Sequence, residues 1–175
     1  MENFIFQNPV KLIMGRGMIA RLAKEIPSDK RIMITFGGGS VKKNGVYDQV
    51  KEALKDHFTV EFWGIEPNPA IETLRKAIAL GKEEKVDYLL AVGGGSTIDC
   101  CKAIAATVYT DVDDVWKLVK KEVSFNKALP VIAMPTIAST GSEMDTSCQI
   151  ANVELHVKGG LASPLLRPVA SFLNP

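Results

Sequence analysis

The chain of 175 residues predicts an α/β fold, a parallel sheet flanked by helices with a small antiparallel edge addition. Apolar runs that read as buried strands alternate with stretches of helical spacing, which implies parallel strands covered by helices on both faces. Two of these runs, Arg31–Phe36 and Asp87–Val92, end in the same Gly-Gly-Gly-Ser turn, at Gly37–Ser40 and Gly93–Ser96. A helical stretch follows each turn. Toward the C-terminus the alternation stops: Cys148–Ala151, Glu154–Val157 and Val169–Leu173 read as short strands without intervening helices, and these predict the antiparallel or edge addition.

In chain order, Lys11–Met14 reads as a short edge strand and Met18–Glu25 as a helix. Arg31–Phe36 is a strand by its continuous apolar run, and a helix is predicted near Tyr47–Asp56. Thr59–Trp63 places Thr, Val and Phe at strand-favouring positions. Pro67-Asn68-Pro69 marks a loop, after which Ala70–Glu84 repeats Ile71, Leu74, Ala77 and Ile78 on one helical face. Tyr88–Val92 is the next strand, Thr97–Thr107 a helix and Val112–Val119 a short helix. Pro130–Met134 is a strand that runs into a Thr/Ser/Gly-rich loop, Pro135–Ser142. The two glycine turns are the only internal repeat.

The size suits one domain, residues 1–175, with a substantial core. A hydrophobic content of 46% with 23% charged residues is that of a globular chain. Lys plus Arg number 21 against 20 for Asp plus Glu, so no net field recruits nucleic acid or an anionic membrane. The pairs Lys42-Lys43 and Lys120-Lys121 are too short to mark a nucleic-acid surface. The N-terminus lacks the basic start and apolar core of a signal peptide, and no apolar stretch is long enough to cross a bilayer. Cys100, Cys101 and Cys148 show no C-x-x-C spacing and do not make a disulfide framework. A reduced cytoplasmic protein is expected.

The glycine turns carry the chemistry. Residues without side chains let phosphate oxygens approach the backbone, and a helix N-terminus offers unpaired N–H donors with a partial positive charge. Two such turns predict a ligand with two phosphates and two ends. In the second turn, Gly93, Gly94, Gly95 and Ser96 suit a pyrophosphate, with Ser96 or Thr97 as a cap of the helix. Asp99 in that helix's first turn either complements the helix dipole, worth about 0.3–1 kcal/mol, or accepts a hydrogen bond from a nicotinamide.

In the first turn, Gly37, Gly38, Gly39 and Ser40 are followed by Lys42 and Lys43, with no acid before Asp48. An NAD site commonly places a carboxylate near the adenosine ribose, where it repels a 2′-phosphate. Its lack here favours NADP(H) over NAD(H), with Ser40 and Lys43 as phosphate contacts unless the lysines are merely solvated. Neither turn matches the G-x-G-x-x-G fingerprint. The third loop supplies Thr136, Thr140 and Ser142, hydroxyls suited to an adenine or a nicotinamide amide, although Ser142 also fits a helix cap.

These motifs together, Gly37–Ser40, Glu66-Pro-Asn-Pro69, Gly93-Gly-Gly-Ser-Thr-Ile-Asp99-Cys-Cys-Lys-Ala-Ile-Ala and Pro135-Thr-x-x-x-Thr-Gly-Ser-Glu143, resemble the iron-containing (group III) alcohol dehydrogenases. The opening Phe4-x-x-Gln-Asn-Pro-Val-Lys and the closing Ser163-Pro-x-x-x-Pro168 to Asn174-Pro175 fit as well, and the likeness is to the butanol dehydrogenase and aldehyde reductase branch. The resemblance implies a Rossmann-like cofactor domain, followed in the family by an all-helical metal domain that this chain lacks. Residues 37–40 would face the adenosine ribose and 93–96 the pyrophosphate. Asp99, Thr136 and Thr140 would line the rest, and Lys158 would reach in from the late strand region.

The chain departs from the family over Met144–Gln149 and at Asn174, where Asp is usual. The family's iron or zinc is held by one Asp and three His of the helical domain, whereas this chain has only His57 and His156. His57 reads as a surface or cap residue and His156 as an exposed strand residue. The expected function is the cofactor half of a metal-dependent alcohol dehydrogenase acting on small alcohols and aldehydes, without activity alone. A stand-alone nucleotide-binding or interaction module and a dehydroquinate synthase-like lyase are the alternatives. A homo-oligomer pairing near residues 4 to 14 is a further expectation.

Overall fold

Apolar runs with no polar alternation form strands only where both sheet faces are covered. Such strands are β2 (Arg31–Phe36), β4 (Tyr88–Gly93) and β5 (Val131–Pro135), almost wholly buried along their length. In the computed structural model, which describes all residues except Met1, Glu2, Phe4, Phe6, Asp113 and Ser139, they form the centre of a parallel sheet. β3 (Phe58–Phe62) closes one side; β1 (Lys11–Met14) and β8 (Ala170–Leu173) complete the other, giving the order β1-β8-β5-β4-β2-β3.

Side chains alternate across the sheet and divide the core in two. Ile32, Ile34, Phe36, Leu90, Val92, Ile132 and Met134 meet α1 (Leu22–Glu25), α3 (Val46–Ala53) and the 3-10 turn Met18–Arg21 on one face. Met33, Leu89, Ala91, Val131 and Ala133 meet α4 (Ile71–Glu83) and α5 (Gly95–Val108) on the other. Each fully buried aliphatic side chain contributes about 1.5–3 kcal/mol relative to an exposed one. α4 is amphipathic, with Ile71, Leu74, Ala77 and Ile78 buried as the spacing predicts. α5 is apolar nearly all round because α4, β4 and a hairpin enclose it.

That hairpin, β6 (Ser147–Asn152) and β7 (Val157–Ala162), is the antiparallel addition. It corrects two strand expectations. Glu154–Val157 is mostly the turn joining β6 to β7, with His156 at φ 53°, and the second strand begins only at Val157. The Val169–Leu173 run belongs to the main sheet, where β8 lies parallel between β1 and β5. The short α6 (Trp116–Val119) occupies only the end of the Val112–Val119 stretch, and Asp113 of that stretch lies outside the described residues. Phe4, in the opening motif and in the stretch expected to pair, also lies outside them; β1 is the edge strand predicted.

Gln149, a departure from the family pattern, stands opposite Gly160 in the hairpin register. A Cβ at Gly160 would press on the Gln149 amide and on the Cys148 carbonyl, so the missing side chain makes the room. Its neighbour Gly159 lies against Val119 and Trp116 of α6. Gly159→Ala is therefore expected to cost about 1–3 kcal/mol by overpacking, read as a lowered midpoint in chemical denaturation. All three cysteines are buried. Burial pushes the Cys101 and Cys148 thiols up to about 12 and raises Cys100 well above its usual range. A thiol reagent at pH 8 should label none of them in the folded chain and all three in denaturant; labelling of the native chain at the unfolded rate would refute the packing described.

Candidate cofactor cleft

The two glycine turns come together because β2 and β4 are direct neighbours, with Phe36 opposite Val92. From β2 the chain steps outward to β3, then returns to β4 on the other side of β2. Strand order thus reverses between the turns, and ligands of open α/β sheets bind at such a switch point, beyond the carboxyl ends of the strands. A cleft of about 430 Å³ opens there. Gly37–Ser40 form one wall and Gly93–Ser96 the other, with Glu66–Pro67 and Thr136 at the rim.

α5 begins at Gly95 with Gly94 as its N-cap, and no side chain caps it. The Thr97 and Ile98 N–H groups both donate to the Gly94 carbonyl, at 3.0 and 3.2 Å, and the helix start faces the cleft. Neither Ser96 nor Thr97 caps the helix, contrary to the expectation. The Ser96 hydroxyl accepts the Asn68 N–H at 3.1 Å, and Thr97 packs into the space a Gly93 side chain would fill. Gly95 is equally confined, since a Cβ would collide with Thr140. In the first turn Gly39, at φ 91°, precedes the four-residue α2 (Ser40–Lys43). Ser40 lines the cleft; Lys43 is exposed at the end of α2, outside the lining. The Lys42 ammonium sits 4.2 Å from the centroid of the Trp63 ring, which itself stacks on Phe36 at 4.0 Å.

The loop after β5 ties into the second turn: Thr136 N–H donates to the Gly93 carbonyl at 3.0 Å. Thr140 is exposed, and its hydroxyl accepts the Ser142 N–H at 3.2 Å. Ser142 is buried, and its hydroxyl donates to Asp99 Oδ1 at 2.6 Å. Asp99 Oδ2 accepts the Gln149 N–H at 3.0 Å. Burial pushes the Asp99 carboxyl above its usual range, against those two donors and the positive charge of Lys102. Lys158, on β7, donates to Asn68 Oδ1 at 2.6 Å, so it reaches the rim from the hairpin.

The structure thus gathers Gly37–Ser40, Gly93–Ser96 and Thr136 around one cleft, with Thr140 against Gly95. Asp99 and Ser142 stand one turn of α5 further on, and Lys158 is connected to Ser96 through Asn68. Three contributors were missed in the sequence. Asn68 adopts a left-handed conformation (φ 57°) that Asn tolerates better than most residues. Glu66 accepts from the Ala70 N–H and the Thr73 hydroxyl, both at 2.9 Å, and so folds the rim loop onto the start of α4. Lys102, fully buried, holds Ser142 and Asp145. A lysine inside an otherwise apolar helix was the available signal, because a buried ammonium demands partners.

The residues present do not fit a metal. Among the described residues no group of three or more His, Cys, Asp or Glu could hold an ion. His57 shares a hydrogen bond with the Ile26 carbonyl at 3.2 Å, within the fold rather than capping its own helix, and His156 is exposed at the hairpin turn. No described helix is long and apolar enough to cross a membrane.

Comparison with known proteins agrees with this fold. Residues 9–175 match the family description Fe-ADH, iron-containing alcohol dehydrogenase. The probable NADH-dependent butanol dehydrogenase 1 of Bacillus subtilis is 48% identical over 178 residues, which take in 100% of this chain and 46% of that protein. The NADPH-dependent aldehyde reductase YqhD of Escherichia coli is 44% identical over 179 residues, again 100% of this chain and 46% of the relative. The solved NADH-dependent butanol dehydrogenase A of Thermotoga maritima superposes with a TM-score of 0.93 at 40% identity, covering 100% of this chain and 45% of that one. The chain spans somewhat under half the length of these relatives. With the match running through both glycine turns and the hairpin, the chain belongs to the iron-containing alcohol dehydrogenase family.

Proposed function

We propose that this chain is the cofactor-binding domain of an NAD(P)(H)-dependent alcohol dehydrogenase that interconverts short primary alcohols and aldehydes. The observation that carries the reading is the cleft at the strand-order reversal, walled by two bare backbone turns and large enough for phosphate groups to sit against an uncapped helix start. The nicotinamide, when bound, supplies or receives the hydride. The chain's own residues bind and orient: Gly93–Ser96 hold the pyrophosphate by backbone N–H groups, Thr136 and Thr140 flank it, and Asp99 accepts from the carboxamide. Lys158 stands at the rim as a cation for the phosphates. The metal-dependent half of the chemistry finds no ligand set among the described residues, and no step is assigned to it.

For the adenosine end we favour NADP(H). The names of the relatives support either cofactor, NADH for the butanol dehydrogenases and NADPH for YqhD. Among the described residues the one carboxylate lining the cleft is Glu66, and it is turned into its own loop by Ala70 and Thr73. Nothing at Gly37–Ser40 therefore repels a 2′-phosphate, and Ser40 and Lys43 supply a hydroxyl and a charge.

Parallel fluorescence titrations with NADPH and NADH test this. Tighter NADPH binding is expected, and Lys43→Met should weaken NADPH by about tenfold, the scale of one charge-assisted contact, while leaving NADH unchanged. Equal affinities would end the 2′-phosphate argument, and binding of neither would overturn the preformed site. Gly95→Ala should lower affinity for both nucleotides, since the added methyl displaces Thr140 toward the phosphates; unchanged affinity would place the pyrophosphate elsewhere. The purified 175-residue chain should bind nucleotide without oxidising butanol, and steady NADPH production by it would refute the division of labour proposed.

A further inference from the structure

Lys102 lies two turns into α5, on the same helical row as Gly95 and Asp99, and is wholly buried. Its ammonium meets Ser142 Oγ at 3.2 Å, the Asp145 carbonyl at 3.2 Å, the Ser147 carbonyl at 2.9 Å and, closest, Asp145 Oδ1. An ammonium has three hydrogens and no lone pair, so every one of these groups must accept. Ser142 Oγ therefore cannot donate to Lys102, and its own hydrogen points along the 2.6 Å contact to Asp99 Oδ1. Asp145 is fixed on the same centre, because its Oδ1 also takes the Ser147 N–H at 3.0 Å. Two carboxylates thus share one buried cation, Asp145 directly and Asp99 through one hydroxyl.

We propose that Lys102 is a positioning residue of the cofactor cleft, one that orders the Ser142 hydroxyl so that Asp99 is held ionised and accepting, one helical turn beyond the pyrophosphate turn. The role of Asp99 toward the nicotinamide rests on the function proposed above; the Lys102–Ser142–Asp99 relay is a property of the free chain. The ionisable groups facing Asp99 are Lys102 and Cys100 on its own helix, Asp145 from the loop after β5, and Cys148 from β6; burial raises the Cys100 thiol well above its usual range, so it is neutral there. Lys102 favours the carboxylate and Asp145 opposes it. The Cys148 thiol is neutral at any working pH, since burial pushes it up to about 12. Loss of either the ammonium or the hydroxyl leaves burial and Asp145 less opposed, so Asp99 must then hold its proton to higher pH.

The test follows the Asp99 side-chain carboxyl carbon by NMR through a pH titration of the 13C-labelled chain without nucleotide, with the signal assigned by its loss in Asp99→Asn. Ser142→Ala should move the midpoint upward, Ser142→Thr should return it to the wild-type position, and Lys102→Met should move it further than Ser142→Ala. Ser142 donates to Asp99 directly, so loss of its oxygen raises the midpoint whatever Lys102 does; a purely packing role for Lys102 predicts instead no shift in Lys102→Met. A Lys102→Met midpoint equal to wild type overturns the proposal, and so does a Ser142→Ala midpoint equal to wild type, which keeps it refutable where Lys102→Met fails to fold. NADPH titration of the same variants separates the two readings. An upward shift without nucleotide binding by wild type would uphold the relay and overturn the cofactor function, whereas nucleotide binding with no shift would do the reverse.

Discussion

Parallel pairing of β2 with β4 brings both strands to an end at the same level, and everything at the cleft hangs on that register. Phe36 faces Val92 across the ladder, so the glycines that follow leave the sheet side by side although 55 residues of chain order separate Gly38 from Gly93. Parallel strands need a crossover, and here β3 and α4 together make it. The crossover also delivers the Glu66–Pro69 rim. The cleft wall formed by the two turns is therefore largely backbone, placed by buried strands.

Close packing around the second turn shows why it is built from glycine. Gly93 and Gly95 sit where Thr97 and Thr140 already fill the space, so the loop after β5 can lie directly on the start of α5. Polar side chains then fasten the outer pieces: Lys158 to Asn68, Asn68 to Ser96, Asp99 to the start of β6. A parallel bridge between Ala70 and Ala151 adds a backbone link from the rim to the hairpin. The hairpin is thus tied to the rim of the cleft and to α5 without lining the cleft itself.

How much of this was legible from residues follows from the range of the interactions. β2, β4 and β5 are announced by continuous apolar runs, and the helix α4 by its spacing, because those signals are local. β8 carries the same kind of run, but nothing in Val169–Leu173 says that it will insert between β1 and β5, more than 150 residues back in the chain for β1. β7 hides its strand character behind Lys158, Gly159 and Gly160, residues that fit a pleated surface poorly and are needed here for close contact with α6 and Gln149. The two glycine turns were readable as bare backbone at strand ends; the buried Lys102 network was not, since its partners come from a loop 40 to 45 positions away.

The stacking of Trp63 on Phe36 has an optical side. Phe36 is the last residue of β2 and leads straight into Gly37, so the indole is stacked on the residue next to the first glycine turn, with the Lys42 ammonium over its face. The second tryptophan, Trp116, is packed against Gly159 of the hairpin, on the opposite face of the sheet. The chain has no others. Its intrinsic emission is thereby divided into two chromophores, one beside the first glycine turn and one on α6 against the hairpin that carries Lys158, so each region can be watched without attaching a dye.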